Sequence, residues 1–186
     1  MKVVVFDGSR ELRGPVGVRL SSLVERLEAA QVEAGLVRAG NVRFTGCTGC
    51  GQCAFRTCDI GCSSPPEDGL RRCVDKIEAA DAVVIGTPVY GAHASPSTQR
   101  LLIRLEHDRR ERGDTRLAGK PAVVVVGPPG SGAGAVAADV RRRLELHGMR
   151  VADAAMPFAG ASERRQAADV DELVGTLLAA LSPQPA

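Results

Sequence analysis

Asp81-Ala82-Val83-Val84-Ile85-Gly86-Thr87-Pro88-Val89-Tyr90 decides the fold. Its first half is a continuous apolar run without polar alternation. A strand that is apolar at successive positions is buried on both faces, as in a parallel sheet covered by helices on each side. The same kind of run occurs at Val3-Val4-Val5-Phe6 and from Ala122 to Val126. Weaker runs occur near Gly35-Leu36-Val37 and from Val151 to Met156. Helical spacing fills the gaps. Val16, Leu20, Leu23, Val24 and Leu27 share one face, as do Leu70, Cys73, Val74 and Ile77. Leu101, Leu102 and Leu105 form a third face, and Val136, Val140, Leu144 and His147 a fourth, stopped by Gly148. Val170, Leu173, Val174, Leu177 and Leu181 form the last.

Strands alternating with helices predict an α/β fold with right-handed crossovers. The expectation is a flavodoxin-like, doubly wound parallel sheet of five strands, with a cysteine-rich loop (residues 46–62) inserted after strand 2. One domain is expected over residues 1–182, with 183–186 as a tail. Pro15 suits the first turn of the first helix. Cys73, on an apolar helical face, reads as a small buried hydrophobe.

The chain has 24 basic and 22 acidic residues, a formal net charge of +2. That balance gives no general attraction to nucleic acid or to a membrane surface. No apolar run approaches the roughly 20 residues of a membrane helix. The opening Met1–Phe6 stretch is too short for a secretory signal, so a cytoplasmic protein is expected.

In an open α/β sheet, ligands bind beyond the carboxyl ends of the strands, where strand order reverses. Three loops are expected to meet there. The first runs from Asp7 to Gly14, where Ser9 offers a hydroxyl, Arg10 and Arg13 offer charge, and Gly14 allows close approach at a helix start. The second, from Thr87 to Pro96, contains Pro88, Val89, Tyr90, Gly91, His93 and Ser95. Its backbone can meet polar ring atoms, and Tyr90 can pack on a ring. The third, from Gly127 to Gly134, has four glycines in eight positions; Gly127, Gly130 and Gly132 are candidate contacts. No acid–base pair suggests itself, and no catalytic side chain is assigned.

Five of the six cysteines lie between Cys47 and Cys62. In a reducing compartment such clusters are metal or redox groups more often than disulfides. Cys47, Cys50, Cys53 and Cys58 read C-x2-C-x2-C-x4-C. Three thiolates at three-residue spacing can wrap one face of an iron–sulfur cluster, and a fourth nearby can close it. Cys62 is a rival fourth ligand, and a zinc site remains an alternative.

Thr87-Pro88-Val89-Tyr90, followed by Ser95 and an amphipathic helix reaching Arg104, resembles the flavin-ring loop of the NADPH-dependent FMN reductase superfamily. With the cysteines before it, the chain is similar to that superfamily's iron–sulfur flavoprotein branch. The resemblance implies FMN, a [4Fe-4S] cluster with Cys58 as the fourth ligand, and a homodimer or homotetramer. It also implies electron transfer, with a ferredoxin-like carrier or NAD(P)H as donor. Two stretches depart from the family pattern. Its phosphate loop continues with Asn, Ser or Thr, whereas this chain has Gly14-Pro15-Val16-Gly17. Its Lys and Asp on the helix after the ring loop correspond to Gln99 and Ile103. Two rival readings are a plain NAD(P)H-dependent flavin or quinone reductase with a structural cysteine loop, and a flavin-free subunit that is not an enzyme.

Overall fold

The computed structural model describes residues 1–11, 13–42, 69–112, 116–127, 132–153 and 163–181. The strands are β1 (Lys2–Asp7), β2 (Glu33–Arg38), β3 (Ala82–Tyr90), β4 (His93–Ala94), β5 (Pro121–Gly127) and β6 (Arg150–Asp153). The helices are α1 (Pro15–Ala29), α2 (Gly69–Ala79), α3 (Pro96–Arg112), α4 (Ala133–Leu146) and α5 (Glu163–Leu181). The sheet order is β2-β1-β3-β5-β6, and all four pairings along it are parallel. This is the doubly wound order, with its reversal between β1 and β3.

The continuous apolar strands are explained by two buried layers. Val4, Phe6, Val83, Ile85, Val124 and Val126 face α2, α3 and α4. Their neighbours Val3, Val5, Ala82, Val84, Val123 and Val125 face α1 and α5. Successive strand residues point to opposite faces, so each strand feeds both cores. Leu20, Leu23 and Leu27 of α1 and Leu177 of α5 close the second layer. Cys73 is buried in the first, as its apolar neighbours imply.

The sheet has six strands, not the expected five. The extra one arises because β3 does not stop at Gly86. It continues through Thr87, Pro88 and Val89 to Tyr90, so half of the expected second loop is strand. Pairing with β1 ends at Asp7 opposite Gly86, while pairing with β5 continues to Pro88 opposite Gly127. Beyond Gly86 the strand therefore has a neighbour on one side only, where proline is tolerated. Gly91 and Ala92 then adopt φ values of 55° and 62°, a two-residue turn that folds His93–Ala94 back onto β3.

Lys120, Arg19 and His147 are among the polar groups buried between elements. Lys120 closes the end of α2, its Nζ donating to Ile77 O at 2.6 Å and Glu78 O at 2.8 Å. Burial lowers its pKa, against the opposing pull of Glu78 and Asp81. Arg19 is buried under α5; desolvation lowers its pKa while Asp169 raises it. On the same pair of helices, Arg26 and Asp171 form a 2.7 Å ion pair. His147, at the end of α4, is buried 3.9 Å from Glu106. Its burial lowers its pKa more than Glu106 raises it, and Arg109 adds to the lowering.

Two predictions follow from these contacts. A Cβ at Gly86 would overlap Leu20 Cδ1, so Gly86→Ala should destabilise the protein by about 1–3 kcal/mol in urea unfolding. His147 favours the neutral form when folded, so the unfolded chain binds more protons below its ordinary pKa of 6.5. Stability should fall as pH drops below about 6.5, and His147→Asn should flatten that part of a melting-temperature profile.

Candidate functional site

The site lies at the carboxyl edge of the sheet, where β1 and β3 end side by side. Gly8 N–H donates to Gly86 O at 2.8 Å, carrying the β1–β3 approach one residue past the ladder. A side chain at position 8 has no room: a Cβ would overlap Thr98 Oγ1 and lie 2.9 Å from Ser95 Oγ. Ser95 joins the two loops. Its hydroxyl donates to Gly8 O at 2.7 Å and accepts the Thr98 N–H at 3.2 Å, which also caps α3. Its own N–H donates to Thr87 Oγ1 at 2.9 Å. Ser95 is 1% exposed, so its side chain serves this junction.

A cleft of about 580 Å³ opens beside the junction. Its lining comprises Gly8 and Arg10 from the loop after β1, Ala39, Gly40 and Val42 from the turn after β2, Tyr90 from β3, and Ser95, Pro96, Ser97 and Arg100 at the start of α3. Tyr90 is about half exposed there. Arg10 and Arg100 are the charged members of this lining, and no carboxylate belongs to it among the described residues. The turn after β2 approaches the first loop closely, with the Cβ position of Gly40 only 3.1 Å from Arg10 O.

The expected site residues divide accordingly. Arg10, Tyr90 and Ser95 line the cleft. Ser9 is buried and is not in the lining; its N–H and Oγ both meet Asp7 Oδ1, at 3.0 and 2.5 Å. Asp7 is itself buried, with Arg38 Nη1 3.5 Å from its other oxygen. Arg13 is exposed and Gly14 is the N-cap of α1, its N–H donating to Glu11 O at 3.1 Å. Neither lines the cleft, and neither do Pro88, Val89 and Gly91.

Of the third loop, Gly127 and residues 132–134 are described. Gly127 ends β5 beside Pro88. Gly132 caps α4 with φ 99°, and a Cβ there would stand 2.8 Å from the Ala92 Cβ. Gly132 abuts the turn that follows Tyr90, and neither glycine belongs to the cleft lining. Gly130 and the cysteines Cys47, Cys50, Cys53, Cys58 and Cys62 lie outside the described residues.

Residues 39–42, Ser97 and Arg100 were not singled out from the sequence. The available signal for the first group was position: they follow the β2 terminus, which adjoins β1 at the same edge. Ser97 and Arg100 sit in the first turns of α3, where they read as ordinary polar helix residues.

A family model described as NADPH-dependent FMN reductase matches residues 1–163. An iron-sulfur flavoprotein of Archaeoglobus fulgidus is 26% identical over 126 residues, covering 68% of this chain and 58% of that protein. The match therefore spans less than two thirds of that relative's length. FerB of Paracoccus denitrificans, a flavoenzyme NAD(P)H:(acceptor) oxidoreductase, superposes with TM-score 0.66 at 22% identity, covering 97% of this chain and 94% of FerB. RosB with a bound 8-demethyl-8-formylriboflavin-5'-phosphate intermediate gives TM-score 0.73 at 18% identity, over 97% and 79% of the chains. A flavodoxin from the domain Archaea gives 0.59 at 12%, over 97% and 99%. At these identities the structural likeness establishes the shared flavodoxin-like fold. The family match over most of the sequence, together with the β1–β3 switch point and its ring-loop hairpin, means that this chain belongs to the NADPH-dependent FMN reductase family, a family of oxidoreductases.

Proposed function

We propose that this chain is a flavin-dependent electron-transfer enzyme with FMN in the cleft and an iron–sulfur cluster on the cysteine segment beside it. One observation carries the reading. The cleft at the switch point is lined by Tyr90 and the start of α3, and also by Val42. Val42 is the last described residue before the segment with Cys47, Cys50, Cys53 and Cys58. The thiolates thus begin five residues along the chain from a cleft wall.

The residues present fit FMN. The cleft volume lies in the range of small-molecule sites. It offers an exposed aromatic side chain for a ring and two guanidinium groups for an anion, with no carboxylate of the described lining to repel one. When bound, FMN supplies two-electron uptake with one-electron release, whereas a cluster carries single electrons. The protein supplies position. Ser95 fixes the distance between the two loops, the Gly91–Ala92 turn holds Tyr90 at the rim, and the Gly8 backbone lies open to the cleft.

A ferredoxin-like carrier or NAD(P)H is the donor in this proposal. The name of the Archaeoglobus relative supports the cluster, and the C-x2-C-x2-C-x4-C spacing gives it ligands.

Anaerobic purification should give brown protein with about four iron and four sulfide per chain, alongside flavin bands. Cys58→Ala should lose the iron, and Cys62→Ala should retain it. Yellow, iron-free protein with flavin bands would leave the plain flavin reductase. Tyr90→Ala should weaken FMN about three- to tenfold in a fluorescence-quenching titration, the range of one lost aromatic contact. Its melting temperature should stay near that of the wild type, because Tyr90 is half exposed.

A further inference from the structure

We infer that His93 is the proton donor of this site, and that it serves an acceptor of the quinone class, which takes up protons together with electrons. The inference rests on the flavin reading above and deepens it, naming the acceptor class and the side chain that meets it.

The β3–β4 hairpin fixes where His93 stands. Gly91 and Ala92 alone join its strands, and the pair that closes the turn is Tyr90 opposite His93. Residues directly opposite in an antiparallel pair point to the same face, with Cβ atoms about 4.5–5.5 Å apart. Tyr90 lines the cleft and is half exposed, so His93 shares its face at the rim. The next residue agrees with that direction. Ala94 is buried in the layer with α2, α3 and α4, whereas His93 is exposed. The tip is also held in place. Ala92 has φ 62°, which costs a non-glycine residue about 1–3 kcal/mol and persists only where the surroundings impose it. The start of α4 imposes it here, because Gly132 leaves to Ala92 the space that a Cβ would fill.

The His93 imidazole makes no hydrogen bond or ion pair with another described residue. The other two histidines, His107 and His147, line a separate pocket between α3 and α4. The charged members of the cleft lining are Arg10 and Arg100, and a guanidinium does not give up its proton. Neither the first turn of α3 nor that of α4 carries an acidic residue. Imidazole is the side chain suited to releasing a proton near neutral pH, and His93 is the one at this rim. A quinone entering the mouth of the cleft meets it there. Reduction to the hydroquinone takes an electron pair and two protons. The reduced flavin gives the electron pair and one proton to one quinone oxygen, an O–H bond forming there as the flavin N–H bond breaks. The other quinone oxygen is left as an oxyanion. It takes the second proton from the His93 imidazolium N–H, and water then returns a proton to the neutral ring.

The experiment uses the full chain loaded with FMN, reduced without air and mixed with benzoquinone or with ferricyanide. Ferricyanide takes one electron and no proton, so it reports electron transfer alone. His93→Ala should lower the benzoquinone rate relative to the ferricyanide rate about a hundredfold, the low end of what a positioned proton donor supplies. Added imidazole should restore part of that ratio, as it would not for a side chain that only props the hairpin. A second readout needs no flavin. The chain has one tyrosine and no tryptophan, so its ultraviolet emission reports Tyr90. In the flavin-free chain that emission should change between pH 5 and 8 with the charge on the neighbouring imidazole, and His93→Asn should flatten the change. A rate ratio within twofold of the wild type in His93→Ala, or an emission that titrates alike in His93→Asn, would overturn the assignment and leave the flavin reading standing. A chain that takes up no FMN would instead overturn the flavin reading, and this assignment with it.

Discussion

The candidate site depends on a glycine that has no room for a side chain. At position 8 the backbone of the first loop lies against Thr98 and Ser95, close enough for Ser95 Oγ to donate to Gly8 O. That single contact joins the end of β1 to the start of α3. It also decides what the other residues can do. With Ser95 and Thr98 filling the space behind it, the first loop turns its Arg10 side outward to the cleft and its Ser9 side inward to Asp7. The same junction caps α3, so the helix that carries Ser97 and Arg100 starts at a defined height above the sheet.

Most of the fold was legible because the strands announce their burial. Runs such as Val83-Val84-Ile85 and Val123-Val124-Val125 leave no polar face, and only a sheet with helices on both sides satisfies that. The strand count was read one too low for a local reason. Pro88 and the glycine at 91 look like loop chemistry, yet β1 has already ended opposite Gly86, so a proline there sits on a half-edge. The φ of 62° at Ala92 had no sequence signal, since alanine rarely adopts it.

Legibility was lower at the site. Tyr90, Ser95 and Arg10 were identified from loop position, and they do line the cleft. Ser95 also joins the two loops through its hydroxyl and its N–H. The glycines at 127 and 132 were expected to face a ligand because glycine permits close approach. Gly132 permits the close approach of Ala92, and Gly127 pairs with Pro88 in the sheet. A glycine reports that something comes near the backbone; it does not report whether that neighbour is a ligand or another loop. The turn at 39–42 was missed because its contribution is made by topology, through the pairing of β2 with β1, and not by residue type.

Charge is arranged around the site in layers. Buried beneath the first loop is the Asp7 carboxylate, with Arg38 from β2 at 3.5 Å and the Ser9 donors closing over it. Arg38 in turn donates to Ser21 Oγ of α1 at 2.8 Å, and Ser21 donates to Gly17 O at 2.7 Å. The network therefore runs from β2 through the floor of the site into the first two turns of α1. An unpaired carboxylate at that depth would be costly; the Ser9 donors satisfy Oδ1, while Oδ2 has the Arg38 charge at 3.5 Å without a hydrogen bond. The consequence above the floor is that the donors spent on Asp7 are withdrawn from the cleft. What remains at the surface is cationic, from Arg10 and Arg100. The Asp7 carboxylate thus holds Ser9 and Arg38 within the protein, while the charged residues of the cleft lining are the two arginines.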